Sequence, residues 1–231
     1  MQSPRAFGLA VVVTTALVTA VSYLAPEAYS ATAVGVTFLA ATWLLVLRGD
    51  AATIRAHGLS MGGLLEPEKL VPSRLASDAA RAAGVALACF AIIAPSFFFG
   101  YRLWFHPRHA FDWRAALPTG DEVLGQLVVI ALPEEAFFRG FVQTRLKAWL
   151  PRSFRVAGLP IGSAIVATSA IFAVGHLLTV PNAARLAVFF PSLLFGALRE
   201  RENGIGAGLL LHALCNLLSS SVAHGYHPGA R

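Results

Sequence analysis

Two adjacent carboxylates and an arginine interrupt an apolar stretch of the chain, in the segment LPEEAFFRG at residues 132–140. The eleven residues before Glu134 carry no charge. On a helix that has Pro133 in its first turn, Glu135 and Arg139 are four residues apart and form an ion pair on one face. Glu134 points about 100° away and has no local partner. A carboxyl group buried in this way is suited to act as a general base.

Two later apolar segments carry isolated polar side chains. FAVGH places His176 four residues after Phe172, which lies one turn earlier on the same face and is expected to wall a pocket. HALCN places His212 and Asn216 on one face of a second segment. Both of these side chains can donate hydrogen bonds to a developing oxyanion.

Each motif alone also has a purely structural interpretation. The two acids are suited to the positive end of an interfacial helix, a histidine in an apolar run is often a hydrogen-bonded core residue, and His212 and Asn216 could join neighbouring helices. Together the three motifs favour one shared polar cavity, because each polar side chain needs hydrogen-bond partners inside apolar surroundings. A base, an assisting histidine and two oxyanion donors are the set that water attack on an amide requires.

The composition is that of a membrane protein. Of the 231 residues 56% are hydrophobic and only 13% are charged, against about 25% charged in soluble domains. A helix needs about 20 apolar residues to span the bilayer core, and five runs without Lys, Arg, Asp or Glu are about this long or longer. Two weaker runs are further candidate spans. The strong runs are Ala6–Leu24, Ala28–Leu47, Ala82–Tyr101, Val156–Ala184 and Asn203–Ala230, and the weaker ones begin near Val123 and cover Ala184–Leu198. These runs predict one all-α, polytopic membrane domain over residues 1–231 with seven transmembrane helices, or eight if a short segment is added. The polar cavity would lie among the later helices.

The distribution of Lys and Arg predicts a cytoplasmic N-terminus and a C-terminus on the other side. With seven spans, the connections on the N-terminal side hold twelve of these residues: Arg5, Arg48, Arg55, Lys69, Arg74, Arg81, Arg145, Lys147, Arg152, Arg155, Arg199 and Arg201. The other side holds four, namely Arg102, Arg108, Arg114 and Arg231, while Arg139 and Arg185 fall within spans. The positive-inside rule therefore accounts for the net charge of +6 without a nucleic-acid partner. A removable signal peptide at the first span is an alternative, although its nineteen uncharged residues exceed the usual length of roughly 7–15.

Two of the loops that connect the predicted spans are long. Residues 48–81 form the longest polar connection, part of which is suited to an interfacial helix. Residues 102–121 form the second, where the aromatic residues are typical of the headgroup level. Cys89 and Cys215 lie in separate spans and are interpreted as core thiols.

The ordered set of motifs resembles the CPBP (Abi) intramembrane endopeptidases, the family that includes the type II CAAX prenyl proteases. The resemblance covers residues 121–220, which would form the catalytic core, and includes a Phe-Gly-x-x-x-Arg stretch at Phe195, Gly196 and Arg199. It implies a glutamate-dependent protease, and we expect no cofactor. In that scheme Glu134 activates water with help from His176, His212 and Asn216 form the oxyanion hole, and Glu135 and Arg139 support the site.

The expected substrate is a membrane-associated protein or peptide, either a prenylated or lipid-linked precursor or a protein with a C-terminal tail. The short chain also resembles the exosortase-like and myxosortase-like members, which remove C-terminal sorting tails. A bacterial inner membrane is the expected location, and the lipid bilayer the expected surroundings.

Three other functions fit part of the sequence. Glu134, His176 and His212 could bind zinc in a metalloprotease, although the pattern His-Glu-x-x-His is absent. A non-catalytic scaffold, immunity protein or transporter part would also contain buried polar groups, but the chain has no repeat and no pair of broken helices. A nucleophilic protease using Cys215 or one of Ser219–Ser221 is the remaining alternative.

Overall fold

In a computed structural model, which describes residues 3–156 and 158–226, the described chain forms eight helices and one short β-hairpin. The helices are α1 (Pro4–Leu24), α2 (Glu27–Thr42, continued by a π-helical turn at Trp43–Leu47), α3 (Ala51–Ala56), α4 (Pro72–Phe105), α5 (residues 120–149), α6 (Ser163–Thr179), α7 (Phe189–Glu202) and α8 (Gly206–Tyr226). The antiparallel hairpin joins β1 (Ser153–Val156) to β2 (Leu159–Gly162), and short 3₁₀ turns lie at Met61–Gly63 and Ala183–Val188. The predicted all-α fold is confirmed.

The surface of the bundle is apolar, as a bilayer requires. Among residues 3–156 and 158–226, four helices are long and apolar enough to cross a membrane: α1, α2 with its continuation, α4 and α8. Large apolar side chains point outward from them, such as Leu24 at 83% and Leu103 at 75% exposure. Exposure of so much apolar surface to water would be strongly unfavourable, whereas contact of the same surface with lipid tails is not. The chain is therefore a helical membrane protein.

Several predicted boundaries are corrected. The uncharged run Val156–Ala184 begins with the hairpin, and only Ser163–Thr179 is helical. The predicted span Ala184–Leu198 is the 14-residue α7, which at about 1.5 Å per residue measures about 21 Å and is shorter than a bilayer core of about 30 Å. Residues 72–81, predicted as loop, form the first turns of α4. The end of the last predicted run, residues 227–230, and Arg231 lie outside the described residues.

Local sequence explains where the helices begin and end. Ser3 caps α1 by accepting a hydrogen bond from the Ala6 amide at 3.2 Å, and Pro26 separates α1 from α2 because it cannot continue the first helix. Thr119 and Glu122 form a capping box that starts α5. Asn203 ends α7 in the left-handed conformation that asparagine tolerates.

Pro133 lies in the first turn of the short α-helical segment Leu132–Glu135, as predicted, but this segment stands inside the longer helix α5. Proline has no amide hydrogen, and it therefore leaves the carbonyl of Val129, four residues earlier, without its helical donor. The helix adapts by widening into π-helical turns on both sides, at Gly125–Ala131 and Ala136–Gln143. The short α-helical turn Leu132–Glu135 between them carries both glutamates.

The two ends of the bundle differ in charge. Contacts between Arg81 and Glu202 at 2.7 Å, and between Arg199 and the Ala56 carbonyl at 3.1 Å, join the start of α4, the end of α7 and α3 at one end. All twelve Lys and Arg residues assigned above to the N-terminal side belong to this end, which we call the basic end. Arg102, Arg108 and Arg114 belong to the opposite end. Arg185 joins them, because it lies exposed in the 3₁₀ turn after α6 rather than within a span as predicted.

At the basic end, residues 48–71 contain the short helix α3 and a network around Glu66. The guanidinium of Arg55, with help from Ser60 and Arg74, lowers the pKa of the Glu66 carboxyl to about 2. These bonds tie the connection to the first turn of α4.

The opposite end contains an aromatic cluster. The residues predicted as an aromatic belt pack partly against each other, with Phe111 5.0 Å from the Tyr226 ring and the Asp112 amide donating to the Gly225 carbonyl at 2.8 Å. This fixes the α4–α5 loop on the C-terminal end of α8. Trp104 stays 80% exposed.

Candidate active site

A cavity of about 620 Å³ lies between α1, α2, α5, α6, α7 and α8. Glu134, His176, His212 and Asn216 line it, and Phe172 forms part of its wall. The three predicted motifs therefore meet in one place although they lie on three separate helices. The expectation that Glu134 has no local partner on its own helix also agrees with the structure, since its neighbours come from α6 and α8.

Glu134 stands between the two histidines. Its Oε2 lies 3.7 Å from Nε2 of His212 and 3.9 Å from Nε2 of His176. Both separations exceed a hydrogen bond, and Oε2 is buried without a hydrogen-bond partner among the described residues. Buried carboxylate oxygens are rarely left in this state, so this oxygen is a candidate acceptor for a reacting group.

Hydrogen bonds fix the orientation of both imidazole rings. Nδ1 of His176 lies 3.0 Å from the Phe172 carbonyl, which can only accept, so this nitrogen carries the proton. Nδ1 of His212 lies 3.0 Å from Oε1 of Glu135. Each ring therefore turns its Nε2 toward Glu134, and the carboxylate and the two ring nitrogens converge on the same part of the cavity.

Glu135 and Arg139 lie behind the cavity. Oε2 of Glu135 is 3.2 Å from Nε of Arg139, and both side chains are buried almost completely. The pair is not aligned as a hydrogen bond, and Arg139 gains other partners: its Nη2 donates to Oγ of Ser192 at 3.0 Å, and its guanidinium lies 4.8 Å from the Phe172 ring. The predicted pairing is thus present as a close contact of opposite charges within α5. The bond from Arg139 to Ser192 joins α5 to α7.

Asn216 has a partner that sequence reasoning missed. Its Nδ2 donates to Oε1 of Gln126 on α5 at 2.9 Å. Gln126 also lines the cavity. The sequence could have indicated Gln126 as a site residue, because it is an uncharged polar residue in an apolar run. It lies eight positions, just over two turns, before Glu134.

The Phe-Gly-x-x-x-Arg stretch divides between two places. Phe195 stacks on the His212 ring at 4.9 Å with an interplanar angle of 14°. Gly196 packs against Gln143 and Ile165, where an added Cβ would lie 2.8 Å from each side chain. Arg199 donates to Thr144 Oγ1 and the Ala56 carbonyl at the basic end, away from the cavity. Only Phe195 therefore touches the site.

The alternative of a zinc site at Glu134, His176 and His212 is not supported by the arrangement of side chains. Among residues 3–156 and 158–226, no group of three or more His, Cys, Asp or Glu residues is placed to hold a metal ion. We therefore derive no chemical step from a metal.

Comparison with known proteins gives one match. Residues 122–218 match a family model described as type II CAAX prenyl endopeptidase Rce1-like. The matched segment runs from α5 to α8 and contains all seven residues predicted for the site. Neither a curated protein nor a solved structure shows significant similarity to the chain.

Proposed function

Because residues 122–218 match the model of the type II CAAX prenyl endopeptidases, we propose that the chain is an intramembrane endopeptidase of the CPBP family in which Glu134 activates water to hydrolyse a peptide bond. The observation that carries this proposal is the convergence of Glu134 Oε2 with the Nε2 atoms of His176 and His212 at 3.9 and 3.7 Å. A water molecule between them donates one hydrogen to Glu134 and the other to His176. Its lone pair is then directed at a bound carbonyl carbon.

The remaining groups stabilise the charge that develops. The water oxygen bonds to the carbonyl carbon, its proton passes to Glu134, and the carbonyl oxygen becomes an oxyanion. His212, whose Nδ1 is held by Glu135, donates from Nε2, and Asn216 donates from the amide that Gln126 orients. Glu134 then delivers the proton to the leaving nitrogen, and the C–N bond breaks.

The substrate class proposed from the family is a membrane-associated protein or peptide. Sequencing of protein termini in membrane and secreted fractions tests the reaction, with cells that carry the wild type compared to cells that carry Glu134→Gln. We expect a precursor to accumulate uncut in the Glu134→Gln strain, with cleavage reduced at least a hundredfold, which is in the range that general bases contribute.

The matched control is Glu68→Gln, which removes an exposed carboxylate at the basic end and should leave cleavage unchanged. Unchanged termini in a stably folded Glu134→Gln protein would overturn the proposal and favour a scaffold. Stoichiometric zinc in the purified protein, together with activity that depends on it, would favour the metalloprotease instead.

A further inference from the structure

The cavity occupies only one half of the bundle. On α1 its lining begins at Thr15 and continues to Ser22, near the helix's C-terminal end. On α2 it begins at Glu27, the first residue of the helix, and ends at Phe38. These two half-helices meet at the turn Ala25–Pro26, which lies at the end opposite the basic end.

The other helices contribute the same half. α6 lines the cavity with its last two turns, up to Thr179, and α8 lines it with residues 212–220, in the middle of the helix. The hydroxyl of Tyr23 donates to the Leu178 carbonyl at 3.0 Å, which shows that α1 and α6 end at the same level. Among the described residues, none of the loops at the basic end lines this cavity. The cavity therefore opens at the opposite end.

The walls between this opening and Glu134 carry hydroxyl groups. Thr15, Thr19 and Ser22 form a row on one face of α1, and Ser30, Ser219 and Ser220 face them from α2 and α8. Oγ1 of Thr19 is buried and has no hydrogen-bond partner among the described residues. Hydroxyls both donate and accept, which is what the alternating N–H and C=O groups of an extended peptide need.

The opening itself is charged but not strongly basic. Glu27 and Arg185, both exposed, lie on its rim. The basic end, by contrast, holds twelve Lys and Arg residues, and four lie at the cavity end. Positive residues remain preferentially on the cytoplasmic side of a membrane, so the cavity end is the non-cytoplasmic one.

We propose that the active site takes its substrate from the non-cytoplasmic side of the membrane, as an extended polypeptide segment that lies along the hydroxyl-lined passage from Glu27 and Arg185 to Glu134. The substrate is then a protein whose cleaved segment is translocated or exposed outside the cytoplasm, and not a lipidated protein held at the cytoplasmic surface. This inference rests on the proposed peptidase activity for the cleavage step, but the direction of the passage stands on the cavity alone.

The direction is tested by labelling one introduced thiol from each side. In a background with Cys89→Ala and Cys215→Ala, Ser30→Cys places a thiol on the passage wall, and Ser73→Cys places one in the first turn of α4 at the basic end. A membrane-impermeant charged maleimide is added to right-side-out and to inside-out vesicles, and the adduct is counted by mass spectrometry. We expect Ser30→Cys to be labelled at least tenfold more in right-side-out vesicles and Ser73→Cys to show the reverse ratio.

Labelling of Ser30→Cys only in inside-out vesicles would overturn the proposal, and so would equal labelling from both sides. Labelling does not require activity, so this result is independent of whether the protein is a peptidase. The termini collected from the Glu134→Gln strain give the second test, because every uncut precursor should have its cleavage site on the non-cytoplasmic side. Precursors cut in a cytoplasmic segment would overturn the proposed substrate class while leaving the peptidase intact.

Discussion

Two neighbouring glutamates have different surroundings because one residue of helix turns a side chain by about 100°. Glu134 faces the cavity with an unpartnered oxygen, whereas Glu135 is 0% exposed and contacts both Arg139 and His212. The proposed roles follow from this difference: the first carboxylate is available for chemistry, and the second is committed to holding two side chains in place.

Substitution of Glu135 should therefore affect the fold as well as the reaction. Glu135→Gln leaves Arg139 charged and without its buried counterion, and removal of one member of such a pair costs roughly 3–5 kcal/mol. We expect a clear fall in the thermal unfolding midpoint of the detergent-solubilised protein, measured by intrinsic fluorescence, together with loss of cleavage.

Glu134→Gln is the paired control for that measurement, since it should lose cleavage while its unfolding midpoint stays close to the wild type. Equal midpoints for the two variants would contradict the structural role assigned to Glu135.

At the scale of elements, the position of Glu134 depends on how closely α2 approaches α5. Gly35 of α2 packs on the Val129 carbonyl, and a Cβ at residue 35 would lie 2.3 Å from that oxygen. Pro133 has no amide hydrogen to donate to this carbonyl, which lies four residues before it. The close crossing thus occurs directly beneath the turn that carries both glutamates.

Gly35→Ala should therefore push α2 away from α5. Because the clash is with backbone rather than with a flexible side chain, we expect a loss of about 1–3 kcal/mol of stability, as for other overpacked cores. The measurement is the unfolding midpoint, accompanied by cleavage of the identified substrate.

Gly8→Ala on α1 is the matched control, because a Cβ at residue 8 would meet nothing within 4 Å. Helix propensity favours that change by roughly 1 kcal/mol, so the midpoint should hold or rise. A Gly35→Ala protein as stable and active as Gly8→Ala would show that the crossing has more room than the structure indicates.

At the scale of the whole molecule, the asymmetry of charge predicts the orientation in the membrane. The basic end should face the cytoplasm, and the α4–α5 loop should face the other side. A site for a specific protease inserted between Arg108 and His109 should be cut when the enzyme is added outside spheroplasts. The same site inserted between Glu68 and Lys69 should be cut only after the membrane is opened. The reversed pattern would invert the orientation, and with it the side from which the cavity is reached.

The sequence by itself determined the class of the protein and most of its site. Long uncharged runs require a bilayer, so the helical membrane fold followed from composition. Glu134, His176, His212 and Asn216 could be selected because polar groups are costly in apolar helices and stand out against them. Their ordered spacing also led to the family that the match over residues 122–218 supports.

Only the tertiary structure decided how these residues are combined. The spacing of residues in the sequence predicts which side chains share a face of one helix, but it does not predict which helices contact each other. The contact of His212 with Glu135, the Gln126–Asn216 bond and the stacking of Phe195 on His212 all join different helices. The place of Pro133 inside α5 and the hairpin after it were likewise decided by packing, which overrides local propensity. The side on which the cavity opens also depends on that packing, because it is a property of six helices together and of none of them alone.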